Sequence, residues 1–122
     1  MKIPYDKVCL FKHFFVYLYH QRNIMKTFKD IQFFQSMGGR LKSSTKFDNG
    51  FELSVIAGGV AYSTPREDNT DPDFFSEFEV AVFAPDGDFT REFFPPDHED
   101  DVMGWQERGQ INTLMLLIQS KK

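Results

Sequence analysis

The feature that most constrains the fold is a run of residues whose apolar members occur at every second position. In FELSVIAG (51–58), one side of an extended chain is wholly apolar, with Phe51, Leu53, Val55 and Ala57, and the other side carries Glu52, Ser54 and Ile56. The run follows Asn49-Gly50, a hairpin turn sequence in which both residues tolerate positive φ. The pattern predicts a strand that follows a tight turn and has one apolar face.

A second alternating run, FEVAVFAP (78–85), leads into another turn. Pro85-Asp86-Gly87 has turn chemistry, because Pro fixes φ, Asp bonds to the local backbone and Gly supplies positive φ. FTREFF (89–94) alternates as well and predicts a returning strand. A calcium loop would need a longer series of acids ending in Glu about twelve residues on, and only fragments of one are present. Strands with such short connections imply an antiparallel sheet.

The clearest helix is predicted near the C-terminus, where apolar residues recur at intervals of three and four. These residues are Ile111, Leu114, Met115 and Ile118. Gly109 weakens the first turn of this helix. Ahead of it, we expect Trp105 to dock on the core. A partly helical spacing also suggests a helix over residues 27–37, ended by the Gly-Gly pair that follows.

The N-terminal segment VCLFKHFFVYLYHQR (8–22) carries an apolar stripe at helical spacing. The stripe consists of Phe11, Phe14, Phe15 and Leu18. The segment is too short and too charged to cross a membrane, and no small-residue cleavage site of a signal peptide follows it. A helix packed on the core or on a second copy of the chain fits the stripe. Because Met25 opens a stretch typical of a protein start, we predict a helical extension (1–24) and a single domain (25–122).

These elements predict an α+β fold: an antiparallel sheet of three to four strands with N-terminal and C-terminal helices packed on one face. The length of 122 residues suits one domain with a single modest core. Fifteen Phe residues make that core aromatic. An aromatic ring left outside the core would indicate a contact surface.

Charge is distributed unevenly along the chain. Residues 66–107 hold fourteen of the eighteen Asp and Glu residues but two of the fourteen Lys and Arg residues. Such asymmetry bears on partners rather than on the fold. It argues against direct nucleic-acid binding by the acidic half, because phosphate contacts need cations. A protein partner with a basic surface fits better, since spaced carboxylates imitate phosphates electrostatically.

The candidate partner-binding residues are six acids in two loops. They are Asp97, Glu99, Asp100, Asp101, Asp71 and Asp73. One alternative is that these acids only keep a Phe-rich protein in solution, and that the group at 97–101 favours the N-terminus of the following helix. Another is a divalent cation held by His98 with two carboxylates, which would make the protein a metal-dependent hydrolase. Adjacent residues of one short loop rarely surround an ion, so no metal site is predicted.

No catalytic motif is visible in the sequence. G-x-S-x-G, H-E-x-x-H and C-x-x-C are absent, and His13, His20 and His98 are too scattered for a zinc site. Cys9 is the single cysteine, which excludes an intramolecular disulfide and suits a reducing compartment such as the cytoplasm. We therefore predict a protein that is not an enzyme and has no cofactor. A structural protein that forms a homodimer through its apolar N-terminal helix is a further alternative.

NGFELSVIAGGVAYS, FEVAVFAPDGDF and DDVMGW, followed by the amphipathic C-terminal helix, give a pattern that resembles small accessory proteins encoded by bacteriophages. The resemblance covers residues 47–118 and carries no residue roles. It implies a small non-enzymatic protein that binds a host or viral component. We expect the protein in the host cytoplasm, without contact with a membrane. Some proteins of this group inhibit bacterial defence systems, and anti-CRISPR proteins are among them. The implied function is a modulator whose acidic surface engages a basic site on a host nucleic-acid-processing or defence protein.

Overall fold

The computed structural model describes residues 25–122, and the predicted N-terminal helix (1–24) lies outside them. In this part of the chain, strands form a two-stranded sheet in the order β1-β2 and a four-stranded sheet in the order β3-β4-β5-β6. A single α-helix follows the last of these strands. The elements are β1 (Phe34–Gln35), β2 (Leu41–Lys42), β3 (Ser44–Lys46), β4 (Glu52–Ile56), β5 (Phe78–Phe83), β6 (Val102–Gln106) and α1 (Arg108–Ser120). All strand pairs are antiparallel, which confirms the predicted antiparallel arrangement and agrees with an α+β class.

One face of the larger sheet forms the core. Residues opposite each other on neighbouring strands share a face, so Leu53 of β4 lies beside Val82 of β5, and Val55 beside Val80. None of these four side chains is more than 1% exposed. Helix α1 packs on this face through the predicted apolar stripe. Its buried residues are Ile111, Leu114, Met115 and Ile118. Full burial of each such side chain contributes about 1.5–3 kcal/mol.

The turn between β3 and β4 is confirmed, and it also caps the end of α1. Gly50 takes positive φ (94°) and donates from its N–H to the Phe47 carbonyl. The side chain of Asn49 donates instead to the carbonyls of Ile118 and Lys121, each at 2.8 Å. The last carbonyls of a helix lack the N–H partner four residues on, and the Ile118 carbonyl accepts the Lys121 N–H at 3.2 Å in addition to Asn49. Asn49 therefore joins the sheet to the C-terminus of the helix.

The turn predicted at Pro85-Asp86-Gly87 is confirmed with the expected chemistry. The Gly87 N–H donates to the Ala84 carbonyl at 2.8 Å, and Gly87 has a φ of 93°. The Asp86 carboxylate accepts the N–H of Asp88 at 3.0 Å, the local bond that favours Asp in turns. Asp86 is thus engaged in forming the turn.

The helix predicted over residues 27–37 is wrong. This segment makes a single 3-10 turn (Phe28–Asp30) and then enters β1, which returns as β2 around a Gly-Gly pair with positive φ at both positions. The glycines turn a hairpin rather than end a helix. Contact with α1 fixes the path, because the Phe28 N–H donates to the side-chain oxygen of Asn112 at 2.7 Å. Backbone donors satisfied in this way need no helical partner.

The returning strand predicted over residues 89–94 is also wrong. Phe89 makes one bridge to Phe83, after which the chain turns away from the sheet. Phe94 enters the core, where it is 6% exposed. Burial of its ring stabilises this path of the chain more than further strand pairing would. The place beside β5 is taken by β6, a segment for which the sequence predicts no strand.

Candidate functional site

The four-stranded sheet has a second face, on the side away from α1, which we call the open face. Ile56 of β4 pairs with Glu79 of β5, and Ala81 pairs with Val102 of β6, so these side chains share it. The bridge from Phe83 brings Phe89 beside them, with the two ring centroids 4.6 Å apart. The other members are Glu52 and Ser54. The open face thus mixes aromatic, aliphatic, small and acidic side chains, whereas the core-face residues of β4 and β5 are all apolar.

A β-bulge interrupts the open face in β6. Phe78 pairs with Gln106 and Val80 with Met103. Two residues of β6, Gly104 and Trp105, therefore lie opposite the single residue Glu79 of β5. Trp105 has a φ of 55°, and no other residue of the described chain except glycine has positive φ. The left-handed conformation costs an L-residue about 1–2 kcal/mol. A bulky residue held there is a genuine outlier that calls for a physical reason.

Contacts with Tyr62 hold Trp105 in this conformation. The Trp105 N–H donates to the Tyr62 carbonyl at 2.9 Å, and the two rings stack with centroids 5.1 Å apart and planes inclined by 27°. The Tyr62 N–H in turn donates to the Glu79 carboxylate at 2.9 Å. Gly104 allows this approach, because a Cβ there would lie 2.5 Å from the Cβ of Tyr62. We call Tyr62 and Trp105 the aromatic shelf.

The aromatic shelf faces solvent. Trp105 is 50% exposed and Tyr62 is 41% exposed, so the expectation that Trp105 docks on the core is wrong. The guanidinium of Arg66, itself an exposed residue, lies over the Tyr62 ring at 5.4 Å from its centroid. The signal in the sequence is Gly104, because a glycine inside a strand often marks a bulge or a close backbone approach, but it can be used only once β6 is known to be a strand.

Four of the predicted partner-binding acids lie in the loop that leads into β6, and all four are exposed. They are Asp97, Glu99, Asp100 and Asp101. Arg91 lies beside this loop, with its Nε 3.9 Å from Asp101 Oδ1 and its terminal nitrogen bonded to the Glu99 carbonyl. The Asp100 carboxylate accepts the Val102 N–H at 3.3 Å, and His98 Nε2 lies 2.8 Å from the Val102 carbonyl. Local bonds therefore shape the loop while its carboxylates stay at the surface.

The other two predicted acids, Asp71 and Asp73, lie beside the N-terminus of α1. Both are exposed, and Asp71 accepts the Asp73 N–H at 2.9 Å in a 3-10 turn (Pro72–Phe74). Asp73 lies 3.7 Å from the guanidinium of Arg108, which also donates to two loop carbonyls. This group adjoins the end of β6, whereas the acidic loop adjoins its beginning. Five residues of strand, about 13 Å, separate the two groups, so the six acids do not form one cluster.

Potential metal ligands do not come together in the described part of the chain. No group of three or more His, Cys, Asp or Glu within residues 25–122 could hold a metal ion. A surface cavity of about 340 Å³ at the start of α1 is lined by Ser76, Glu77, Glu107, Arg108 and Gly109. At this cavity the Glu77 carboxylate accepts the Thr64 hydroxyl at 2.7 Å, and the Ser76 hydroxyl lies 3.4 Å from the Thr64 carbonyl.

No family model matches the sequence, and no curated protein or solved structure shows detectable similarity to it. Among residues 25–122, no helix is long and apolar enough to cross a membrane. The surface of the described residues carries the remaining indications of function. Two features of that surface stand out: exposed acids at both ends of β6, and the aromatic shelf between them.

Proposed function

We propose that this protein is a non-enzymatic modulator that binds another protein through its acidic surface. The partner presents a basic site, of the kind that nucleic-acid-processing or defence proteins of a host cell use to hold phosphates. The acidic loop at 97–101 makes the first contact, and Asp71 and Asp73 extend the surface at the other end of β6. The resemblance to phage accessory proteins points in the same direction.

The observation that carries this proposal is the exposure of all six acids with little neutralising charge beside them. Arg91 and Asp101 are 3.9 Å apart, and their side chains are 51% and 52% exposed. An ion pair of that length and exposure contributes about 0–1 kcal/mol. The Arg108–Asp73 pair is similar, since the Asp73 side chain is 92% exposed. Most of the negative charge therefore remains available to a partner.

An acidic surface of this kind affects binding through rate and selectivity. Complementary charges steer encounter and raise the association rate, and they repel partners of the same sign. Nucleic acid is such a partner, because its phosphates would meet carboxylates rather than cations. A protein that occupies a basic cleft in this way competes with the nucleic acid for the same site.

The test is affinity capture from a bacterial lysate at about 50 mM and about 500 mM salt, with the captured proteins identified by mass spectrometry. The double variant Asp100→Lys/Asp101→Lys reverses the charge of the acidic loop. We expect the wild-type protein to retain a defined basic protein at low salt and to lose it at high salt. The double variant is expected to lose it at both.

A matched control separates the loop from net charge in general. Asp48→Lys/Glu67→Lys changes the net charge by the same amount at exposed positions outside the acidic loop. It is expected to retain most of the captured partner. Equal retention by both double variants would show that the acidic loop is not the binding surface, and capture that resists high salt would contradict electrostatic recognition.

A further inference from the structure

Trp105 is strained without the compensation that buried residues receive. Its left-handed backbone is fixed by the bond to Tyr62 and by the absence of a Cβ on Gly104. Half of its side chain nevertheless remains in solvent, so little apolar burial is gained in return. Strained residues that the surrounding structure holds in place concentrate at ligand clamps and binding sites. The arrangement presents an indole ring outward from the edge strand of the sheet.

The chemistry around the aromatic shelf suits a guanidinium group. Arg66 already lies over the Tyr62 ring, so the shelf accepts this group within the molecule itself. Indole is the aromatic ring that attracts cations most strongly, and Arg stacks on aromatic faces better than Lys does. The carboxylate of Glu79, bonded to the Tyr62 N–H, adds negative charge next to the rings. A planar cation therefore finds both a ring to stack on and an acid nearby.

An exposed aromatic pair can also stack on nucleic-acid bases, but the negative charge around the shelf disfavours binding of nucleic acid. Base stacking brings phosphates with it, and binding proteins supply a positive groove to hold them. Trp105 belongs to the segment 66–107, which carries fourteen acids and two cationic residues. Tyr62 bonds to Glu79 of the same segment. An arginine side chain of a protein partner meets no such repulsion.

We infer that the Tyr62–Trp105 shelf is a recognition point for an arginine side chain of the partner, stacked on the exposed face of Trp105. This inference rests on the proposed function and adds a specificity to it: carboxylates attract any cationic partner, whereas the shelf selects Arg over Lys. The shelf contacts one arginine side chain of the partner, and the acidic loop attracts the remaining basic surface of the partner at long range.

Trp105 is the only tryptophan in the chain, so its fluorescence reports directly on the shelf. The probes are a short Gly-Arg repeat peptide and a Gly-Lys repeat peptide of the same length and charge, titrated at low salt. We expect both peptides to bind, and the Arg peptide to bind about fivefold tighter, as one additional cation–π contact would give. The Arg peptide is also expected to change the tryptophan emission more at saturation.

Variants at the shelf test whether it causes the preference. Trp105→Gly removes the indole and suits the left-handed backbone, so the fold is expected to survive. Binding of labelled peptides by fluorescence anisotropy replaces the lost tryptophan signal. We expect Trp105→Gly to bind the Arg and Lys peptides equally, and Trp105→Phe to keep part of the preference. Phe34→Ala, at an exposed aromatic residue in β1, is the matched control and is expected to keep all of it.

The two proposals fail in different ways. If neither peptide binds the wild-type protein at low salt, the acidic surface does not recognise cations and the proposed function is overturned. If both peptides bind with equal affinity, or if Trp105→Gly keeps the preference for Arg, the shelf is not an arginine site, although the acidic surface stands.

Discussion

The two faces of the four-stranded sheet are formed by the same strands, yet they differ in side-chain pattern, backbone regularity and exposure. On the core face the positions of β4 and β5 alternate as expected, and the side chains belong to the same buried cluster as the apolar residues of α1. On the open face, β6 contains an extra residue, a tryptophan adopts a left-handed backbone, and aromatic rings lie in solvent. Regions in which pattern, packing and backbone agree serve stability, and local violations concentrate at functional sites. The core face therefore accounts for stability, and the open face is where we propose that recognition takes place.

The largest effect is expected on the core face. Ile118→Ala removes a fully buried side chain of α1 and leaves a cavity, which typically costs about 2–5 kcal/mol. Leu117→Ala, one residue earlier in the same helix, truncates a side chain that is 52% exposed and is expected to cost about 0.5 kcal/mol or less. Urea unfolding of both variants measures the difference. Similar losses would mean that both sides of α1 are packed in solution, for instance by a second copy of the chain.

Gly104→Ala tests the open face, and its effect is expected to be the next largest. The new Cβ would lie 2.5 Å from the Cβ of Tyr62, so the shelf must shift, at about 1–3 kcal/mol for an overpacked contact. Tryptophan emission reports the displacement of Trp105 directly. Gly109→Ala is the control, because nothing lies within 4 Å of its added Cβ and Ala favours helix by about 1 kcal/mol. Unchanged emission and stability in Gly104→Ala would contradict the close contact between the two residues.

Asn49→Ala tests how the sheet holds the end of α1. The substitution removes the side-chain bonds to the carbonyls of Ile118 and Lys121 and the bond that Asn49 accepts from the Phe51 N–H. Each is worth about 0.5–1.5 kcal/mol, and the freed groups recover part of the loss by bonding to water. A net loss of about 1–2 kcal/mol is expected in urea unfolding. Asp48→Ala, at an exposed neighbour in the same turn, is expected to change little. Equal losses would show that the turn, rather than the helix cap, is affected.

The core face was predictable because its determinants are periodic. The alternation around Leu53 and Val80 and the spacing of Ile111 and Ile118 each repeat several times, so one misplaced residue does not hide the pattern. The helix expected over residues 27–37 failed for the opposite reason. Its spacing was partial, and side chains of α1 distant in sequence decided the path of the chain. Tertiary contacts of that kind leave no trace in a local pattern.

The site was less predictable than the core. Sequence counting identified the exposed acids, because charged side chains are rarely buried, but it could not show that Asp71 and Asp100 lie at opposite ends of a strand. The aromatic shelf depends on one bulge and on a contact between residues 62 and 105, which are far apart in the chain. Composition shows that a Phe-rich chain leaves some rings outside, and only the register of β6 shows which ones.

The smallest expected effect isolates the strain at Trp105 from its contacts. Trp105→Gly relieves the left-handed backbone, worth about 1–2 kcal/mol, and loses the stack on Tyr62, worth about 0.5–1.5 kcal/mol. These terms oppose each other, so the net change in unfolding free energy is expected to stay below about 1 kcal/mol. Trp105→Ala loses the same stack and keeps the strained backbone. It is therefore expected to be less stable than Trp105→Gly by about 1 kcal/mol.

Comparison of the Gly and Ala variants in urea is more informative than either one against the wild type, because the stack is absent from both. A more stable Gly variant means that the protein holds the indole outward against a backbone cost, as expected if the open face is under selection for recognition rather than stability. Equal stability of the two variants would show that the backbone at position 105 is not strained. Trp105 would then not differ structurally from any other exposed aromatic residue on this surface.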